Sequence, residues 1–128
     1  MAYLKPPWFT RTVFNKIAMA TGISNSEALT VTKRVSNQPQ EIPVVVPDVD
    51  GVMYLVSTRG ETEWVRNVRA DPNVTVGKTR YVAAEVPDEQ RAPILAVYRP
   101  LAGKVVEGYW RQLPDDADHP VFALALAT

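Results

Sequence analysis

The sequence contains no cysteine and only 1 histidine among its 128 residues. It therefore has no disulfide, no thiolate nucleophile and no zinc ribbon, and one histidine cannot anchor a multi-histidine metal centre. The sequence also lacks a signal-peptide pattern, a P-loop, a Gly-x-Gly-x-x-Gly motif and any apolar run near the ~20 residues that cross a bilayer. These absences favour a cytoplasmic protein without a metal site.

Charge of one sign is not in excess either, because 14 basic side chains balance 14 acidic ones. Domains that bind nucleic acid are usually basic, so this balance argues against nucleic acid as a partner, and any site for an anion must be local. A chain of this length with 46% hydrophobic residues is predicted to form a single domain over residues 1–128.

The centre of the chain has the period-2 and β-branched patterns of strands. Three segments share them: residues 28–33, 42–46 and 52–57. The dipeptide Asp50-Gly51 tolerates the positive φ angles of a tight turn before the third segment. We expect the three strands to be antiparallel neighbours, followed by a short helix that ends near Asp71-Pro72.

The N-terminal 1–24 segment is predicted to be a helix and a loop. Residues 6–21 place Phe9, Val13 and Ile17 on one helical face, and packing of this face on the sheet explains the pattern. The basic residues of the helix leave open a peripheral contact with an anionic membrane surface.

The second half of the chain mixes strand and helix patterns. A hairpin is predicted around Gly77-Lys78, and helices are predicted over residues 94–101 and 105–113, with Pro93 in a first turn and Pro100 and Gly103 as stop signals. Residues 121–126 are predicted to form a closing strand. About six antiparallel strands with three or four helices in all predict an α+β domain on an antiparallel barrel or sheet.

Few residues have the pattern of a catalytic or metal site. His119 precedes a proline in a polar loop without a nucleophile motif nearby, which favours a loop-capping or surface role. The acidic loop of residues 115–118 lacks the glycine and the terminal glutamate of a calcium loop, so a solvated turn is the better interpretation.

Local basicity is the more informative signal. The residues Lys33-Arg34-Val35-Ser36-Asn37-Gln38 follow one strand, and Ser57-Thr58-Arg59-Gly60 follows another and leads into a helix. If the sheet brings both turns to one end, their cations together with Arg66 could surround an elongated anion, and the start of the helix could bind phosphate. Solvated turns with unpaired surface charges are the alternative.

Two stretches resemble the deazaflavin-dependent nitroreductase family of actinobacteria: LTVTKRVSNQPQEIPVVV and DGVMYLVSTRGETEWVRNVRADPNVTV. The resemblance extends over roughly residues 10–126, and RGETEWVRNVRA is its most specific part. It implies a split β-barrel, of the kind that also binds FMN, and coenzyme F-420, an 8-hydroxy-5-deazaflavin. The family's first turn reads Gly-Arg-Lys-Ser/Thr-Gly, whereas this chain has Lys33-Arg34-Val35-Ser36-Asn37.

The resemblance also implies roles for individual residues. The coenzyme's phosphate and tail would be held by Lys33, Arg34, Ser36, Gln38 and Arg59, beside Gly60. The deazaflavin would be lined by Pro43, Thr58 and Trp64, and Asn67 would fix the helix that follows. The alternatives are core packing for Trp64 and a capping or packing role for Asn67. Candidates for a substrate wall are Tyr98, Tyr109 and Trp110, for which core packing is the alternative.

The implied activity is hydride transfer from the reduced coenzyme to a small electrophile such as a quinone, a nitro compound or an activated alkene. Two alternatives remain open on the same fold. One is a non-catalytic binder of a fatty acid or another apolar ligand, and the other is an FMN-binding relative. Split barrels commonly pair across the sheet, so the resemblance also leaves open a homodimer.

Overall fold

The computed structural model describes residues 26–127. The strands of this part of the chain are β1 (Ser26–Thr32), β2 (Pro39–Val45), β3 (Asp48–Val49), β4 (Val52–Val56), β5 (Asn73–Val76), β6 (Thr79–Glu85) and β7 (Val121–Leu126). The α-helices are α1 (Glu63–Ala70), α2 (Ala92–Ala102) and α3 (Lys104–Gln112). Short 3-10 turns are formed by Asp88–Gln90 and Asp116–Asp118. The predicted helix over residues 6–21 lies outside the described residues.

The strands form one sheet of 7 strands in the order β2-β1-β5-β6-β7-β4-β3. Every neighbouring pair is antiparallel. Although β2 and β4 lie near opposite edges of the sheet, they contact each other. The sheet is therefore curled into a half-barrel, which confirms the predicted α+β class with a split-barrel-like architecture. The seventh strand, beyond the six predicted, is the two-residue β3.

The predicted pairing of the three central strands is only partly correct. β1 and β2 pair as expected, with Ala28 opposite Pro43. The expectation that β4 lies beside β2 in the sheet is wrong, because β4 pairs with β3 on one side and with β7 on the other. Proline cannot donate a ladder hydrogen bond and is confined to edge strands, and Pro39 and Pro43 make β2 an edge.

The local turn chemistry explains why the hairpins form where they do. Asp50 and Gly51 join β3 to β4 with φ angles of 54° and 86°. These left-handed angles match the twist of a tight hairpin, and aspartate and glycine adopt them at the lowest steric cost. The Gly51 amide donates to the Asp48 Oδ1 at 2.9 Å, which closes the turn.

The boundary of α2 differs slightly from the prediction. Pro93 lies in the first turn, as predicted, but the helix continues past Pro100 to Ala102. It ends at Gly103, whose φ angle of 85° breaks the helical conformation.

Two apolar cores lie on the two faces of the curled sheet. The inner core packs α1 on one face and includes Leu29, Leu55 and Val65, each with 0% of its surface exposed. The outer core packs α2 and α3 on the other face and includes Leu95 and Val121. Burial of one such side chain contributes about 1.5–3 kcal/mol, so the inner core fixes α1 against the strands that carry the basic turns.

An ion-pair network ties α1 to the far end of β6. The Arg69 guanidinium donates to both carboxylate oxygens of Glu85, at 2.9 and 2.7 Å, and to both of Glu61, at 2.5 and 3.0 Å. The hydrogen bonds from Arg69 lower the pKa of Glu85. The buried Arg91 continues the network to Glu85 and Asp88, at 3.3 and 3.0 Å.

Candidate functional site

The basic turn between β1 and β2 has a defined backbone. The Lys33 amide donates to the Gln38 carbonyl at 2.9 Å, and the Asn37 amide donates to the Lys33 carbonyl at 3.0 Å. Asn37 has a φ angle of 59°, in the left-handed region that asparagine tolerates better than most residues. The Ser36 hydroxyl accepts a hydrogen bond from the Gln38 amide at 3.3 Å. This turn presents Lys33 and Arg34 at the end of β1.

A buried asparagine of α1 holds this turn in place. The Oδ1 atom of Asn67 accepts from the Arg34 backbone amide at 3.1 Å and from the Arg34 Nη1 at 2.8 Å. The Nδ2 atom of Asn67 donates to the Gln40 Oε1 at 2.8 Å. Asn67 is only 3% exposed. A neutral amide thus orients the Arg34 guanidinium without neutralising its charge.

A carboxylate from the same helix also contacts Arg34. The Glu63 Oε2 lies 2.8 Å from the Arg34 Nη1, and the Glu63 Oε1 lies 4.0 Å from the Arg66 Nη1. The side chains of Glu63 and Arg34 are 55% and 31% exposed. This ion pair is therefore a solvent-accessible contact above the buried amide.

These side chains surround an open groove of about 320 Å³ between the β1–β2 turn and α1. Its lining consists of Lys33, Arg34, Val35, Ser36, Gln40, Glu63 and Asn67. Ammonium, guanidinium, hydroxyl and amide groups are the donors that recognise phosphate and carboxylate oxygens. The groove can therefore bind an anion, and we call it the anion groove.

The second basic turn, Ser57 to Gly60, leads directly into α1. The Ser57 hydroxyl donates to the Gly60 carbonyl at 2.5 Å, and Gly60 has a φ angle of 83°. Thr62 caps α1, because its hydroxyl accepts from the Val65 amide at 3.4 Å. Since Arg34 contacts Glu63 in the first turn of α1, the structure brings the two basic turns to the same end of this helix, with Thr58 and Arg59 half-buried.

The sequence model of the F420H(2)-dependent quinone reductase family matches residues 9–123. The chain belongs to this family. It is accordingly an oxidoreductase that depends on coenzyme F-420, which confirms the resemblance to deazaflavin-dependent enzymes. No curated protein matches the chain.

Solved structures with this fold include an F420-H2 dependent reductase, FDR-A, at 21% identity and a TM-score of 0.57 over 80% of this chain and 95% of that one. A structure described as a domain-swapped dimer has 22% identity and a TM-score of 0.55, covering 80% of this chain and 81% of that one. An FAD-binding protein from Mesorhizobium loti has 17% identity and a TM-score of 0.56, covering 94% of this chain and 91% of that one. The fold is therefore shared by proteins that differ in the cofactor they bind.

In this quinone reductase family member, the aromatic residues predicted for the site lie mainly in the cores. Trp64 is 5% exposed and packs its ring against Phe122 in the inner core, with 6.0 Å between the ring centroids. Tyr98 and Trp110 belong to the outer core, with 6.2 Å between their centroids, and burial raises the pKa of Tyr98 well above its usual range. Tyr109 is half-buried on α3. The structure does not bring these four residues to the anion groove.

Four of the remaining predicted residues line the groove: Lys33, Arg34, Ser36 and Asn67. Gln38 closes the β1–β2 turn through its backbone, and Gln40, which the sequence analysis did not select, lines the groove in its place. Pro43 lies further along β2, opposite Ala28. Glu63 was not selected either, because its role depends on contact with Arg34, a residue from another part of the chain.

His119 was expected to cap a loop or to lie at the surface. It is 0% exposed, so a surface position is excluded. Its Nδ1 lies 3.0 Å from the Ser57 carbonyl oxygen, and its Nε2 lies 2.6 Å from the Leu113 carbonyl oxygen. The imidazole stacks on Trp110 at 3.7 Å between ring centroids. His119 thus joins the end of β4, where the second basic turn begins, to the segment that follows α3.

Within residues 26–127, no group of three or more histidine, aspartate or glutamate side chains is placed to bind a metal ion. In the same part of the chain, no helix has both the length and the apolar character needed to cross a membrane.

Proposed function

We propose that the anion groove binds the phosphate and the glutamyl tail of coenzyme F-420, and that the enzyme reduces a small electrophile such as a quinone, a nitro compound or an activated alkene. The observation that carries this proposal is the orientation of Arg34 at the groove by the buried Asn67. Lys33 and Ser36 line the same groove. This donor set fits an elongated ligand with several anionic groups.

Each basic turn has a proposed role. Lys33, Arg34 and Ser36 bind the phosphate and the first carboxylates of the tail, and Arg59 reaches the ligand from the second turn. Thr58 and Gly60 of the second turn, with Pro43 of β2, lie against the deazaflavin. The bound coenzyme supplies the hydride, while the protein orients it and keeps water from the reacting face.

The altered phosphate turn is compatible with this role. Asn37 occupies the position of the second glycine in the family's turn. Its φ angle of 59° is left-handed, so the backbone can make the turn without that glycine. Lys33 takes the place of the first glycine, and Val35, with 89% of its surface exposed, takes the place of the lysine. The turn therefore keeps a left-handed residue at its last position, and its second cation stands at Lys33 in place of position 35.

The lining of the groove favours this proposal over a fatty-acid binder. An acyl chain needs an enclosed apolar pocket, because its binding energy comes from burial of apolar surface. The anion groove is open, and six of the seven residues that line it carry a charged, hydroxyl or amide group. It suits the anionic part of a ligand.

Titration of the purified protein with oxidised F-420, followed by the fluorescence of the coenzyme, tests the proposal. Arg34→Ala should weaken binding by about 1.5–3 kcal/mol, or roughly one to two decades in the dissociation constant. Arg80→Ala is the matched control, because Arg80 is exposed on β6 and does not line the groove. Unchanged affinity in Arg34→Ala would place the tail elsewhere, and absence of F-420 binding to the unmutated protein would refute the proposed site.

The acceptor is tested with the same protein once it is loaded with reduced F-420. Oxidation of the coenzyme on addition of a quinone, a nitroaromatic compound or an activated alkene identifies the class that is reduced. If none of the three reoxidises the coenzyme faster than the protein-free control, the proposed substrate class is wrong.

We also propose a homodimer, which is supported by the dimeric state described for one structure of this fold. Sedimentation analysis should give twice the mass of the 14.2 kDa chain. A monomer at all concentrations would refute it. Membrane contact through residues 6–21 stays a prediction, and co-sedimentation with anionic liposomes that is lost on deletion of residues 1–20 would support it.

A further inference from the structure

The carboxylate of Glu63 already binds the guanidinium that the proposed tail requires. It lies 2.8 Å from the Arg34 Nη1, at the mouth of the anion groove. We infer that Glu63 is an intramolecular competitor for Arg34 and lowers the affinity of the groove for anions. The inference deepens the proposed function, on which it rests for the identity of the natural ligand.

The two partners of Arg34 differ in how easily they can be displaced. Asn67 is 3% exposed and binds both the backbone amide and the guanidinium of Arg34, so removing it would disrupt the packing of α1 on the turn. The Glu63 side chain is 55% exposed, and among residues 26–127 its ion pairs are with Arg34 and Arg66. Arg34 thus has one permanent neutral partner and one exchangeable charged partner.

The Glu63 contact is weak enough to be exchanged. Loss of an exposed ion pair changes a binding constant by a factor of only about one to five, because water and salt screen both charges. Rotation of the Glu63 side chain into solvent would free the guanidinium and leave its contact with Asn67 in place. The competitor therefore lowers the affinity for an anion without closing the groove.

Every anion that uses Arg34 has to displace Glu63, so the carboxylate lowers the affinity of each by a similar factor. A ligand with one small anionic group gains little beyond the contact it replaces. A ligand with several anionic groups also engages Lys33 and the donors of the turn, so displacement of Glu63 is a small part of its binding free energy. An elongated polyanion can therefore still bind when Glu63 has to be displaced.

The test compares Glu63→Gln with Glu89→Gln in titrations with two probes, tripolyphosphate and oxidised F-420. Both variants lose one negative charge from an exposed position, but Glu89 lies in the 3-10 turn before α2 and does not line the groove. Glu63→Gln should bind both probes about two- to fivefold more tightly than the unmutated protein. Glu89→Gln should bind them with unchanged dissociation constants.

A double-mutant cycle shows whether Glu63 acts through Arg34. In an Arg34→Ala background, Glu63→Gln should no longer improve the affinity for either probe, because the cation for which Glu63 competes is gone. Circular dichroism and thermal unfolding of each variant establish that the fold is retained. If the gain persists undiminished without Arg34, Glu63 acts as a general repulsive charge and the inference is wrong.

The two probes separate this inference from the proposed function. If Glu63→Gln improves tripolyphosphate binding while no variant binds F-420, the competitor role stands and the proposed coenzyme site fails. If F-420 binds but the Glu63→Gln variant binds both probes with the constants of the unmutated protein, the competitor role fails and the site stands. Absence of binding of either probe to every variant refutes both.

Discussion

Replacement of Asn67 by alanine should both destabilise the fold and lower the affinity of the anion groove for F-420. The side chain of Asn67 makes three hydrogen bonds, two from Arg34 and one to Gln40, and these join α1 to the β1–β2 turn and to β2. The residue is 3% exposed, so water cannot replace these bonds without rearrangement of the helix. The Arg34 backbone amide would be left without its acceptor.

The expected magnitude follows from these three bonds. A hydrogen bond contributes about 0.5–1.5 kcal/mol net, and a donor left unsatisfied in a buried site costs about 1–3 kcal/mol. Asn67→Ala should therefore lower the free energy of unfolding by about 2–4 kcal/mol. Because the Arg34 guanidinium would lose its fixed orientation, F-420 affinity should also fall.

Urea unfolding followed by tryptophan fluorescence measures the first effect, and F-420 titration measures the second. Asn73→Ala is the matched control, since Asn73 is exposed and its side-chain hydrogen bond in the described part of the chain is to Asp71, two residues away. Its free energy of unfolding should change by less than about 0.5 kcal/mol. Asn67→Asp keeps the acceptor for Arg34 but adds a negative charge, so it should lose more affinity for F-420 than stability.

The result that would refute this reasoning is an Asn67→Ala variant with the unfolding midpoint of the unmutated protein. It would show that water or a neighbouring side chain replaces the three bonds, and that Asn67 does not hold the turn on α1. An Asn67→Asp variant with unchanged F-420 affinity would show that the charge beside Arg34 does not matter for the ligand.

Two further predictions concern the scaffold around the site. Hydrogen bonds from Arg69 lower the pKa of Glu85, so the stabilisation from this pair should be complete above the ordinary carboxyl value of 4.5 and be lost as the pH falls through the lower folded-state pKa. Glu85→Gln should flatten the loss of the free energy of unfolding below about pH 4.5, and an unchanged acid profile would contradict the role of the pair. His119→Ala should lower the free energy of unfolding in urea by about 2–4 kcal/mol, because it removes the buried imidazole that lies between the Ser57 and Leu113 carbonyl oxygens and leaves a cavity beside Trp110; an unchanged midpoint would show that His119 does not brace the end of β4.

Local patterns predicted most of the secondary structure, because they act within a few residues. The Asp50-Gly51 turn, the end of α2 at Gly103 and the closing strand all depend on the conformational preferences of neighbouring residues. The partner of β4 could not be predicted in this way. It pairs with β7, more than 60 residues later in the sequence, through backbone bonds that leave no trace in the side-chain pattern.

The candidate site likewise contains residues that local patterns predicted and residues that gain their role only from distant parts of the chain. Lys33 and Arg34 were predicted to meet the second basic turn because both follow strands of one sheet, and α1 brings these turns together. Glu63 and His119 were missed as site components, since each acquires its role from a partner far away in the sequence, Arg34 for one and the Ser57 carbonyl for the other. The helical spacing of Trp64 fits the inner core as well as a ligand wall, and burial decides for the core.

The composition of the β1–β2 turn sets the balance of charge at the groove. The cation found in the family's turn is replaced here by Val35, which is 89% exposed, and Glu63 pairs with the arginine that remains. Lys33 adds a cation at the end of β1, but its ammonium is a flexible point charge without the fixed geometry of a guanidinium. Of the two cations that line the groove, Arg34 is therefore the one that could hold a phosphate or carboxylate by paired donors, and the neutral contact with Asn67 would keep that guanidinium oriented whether Glu63 or a ligand occupies its other side.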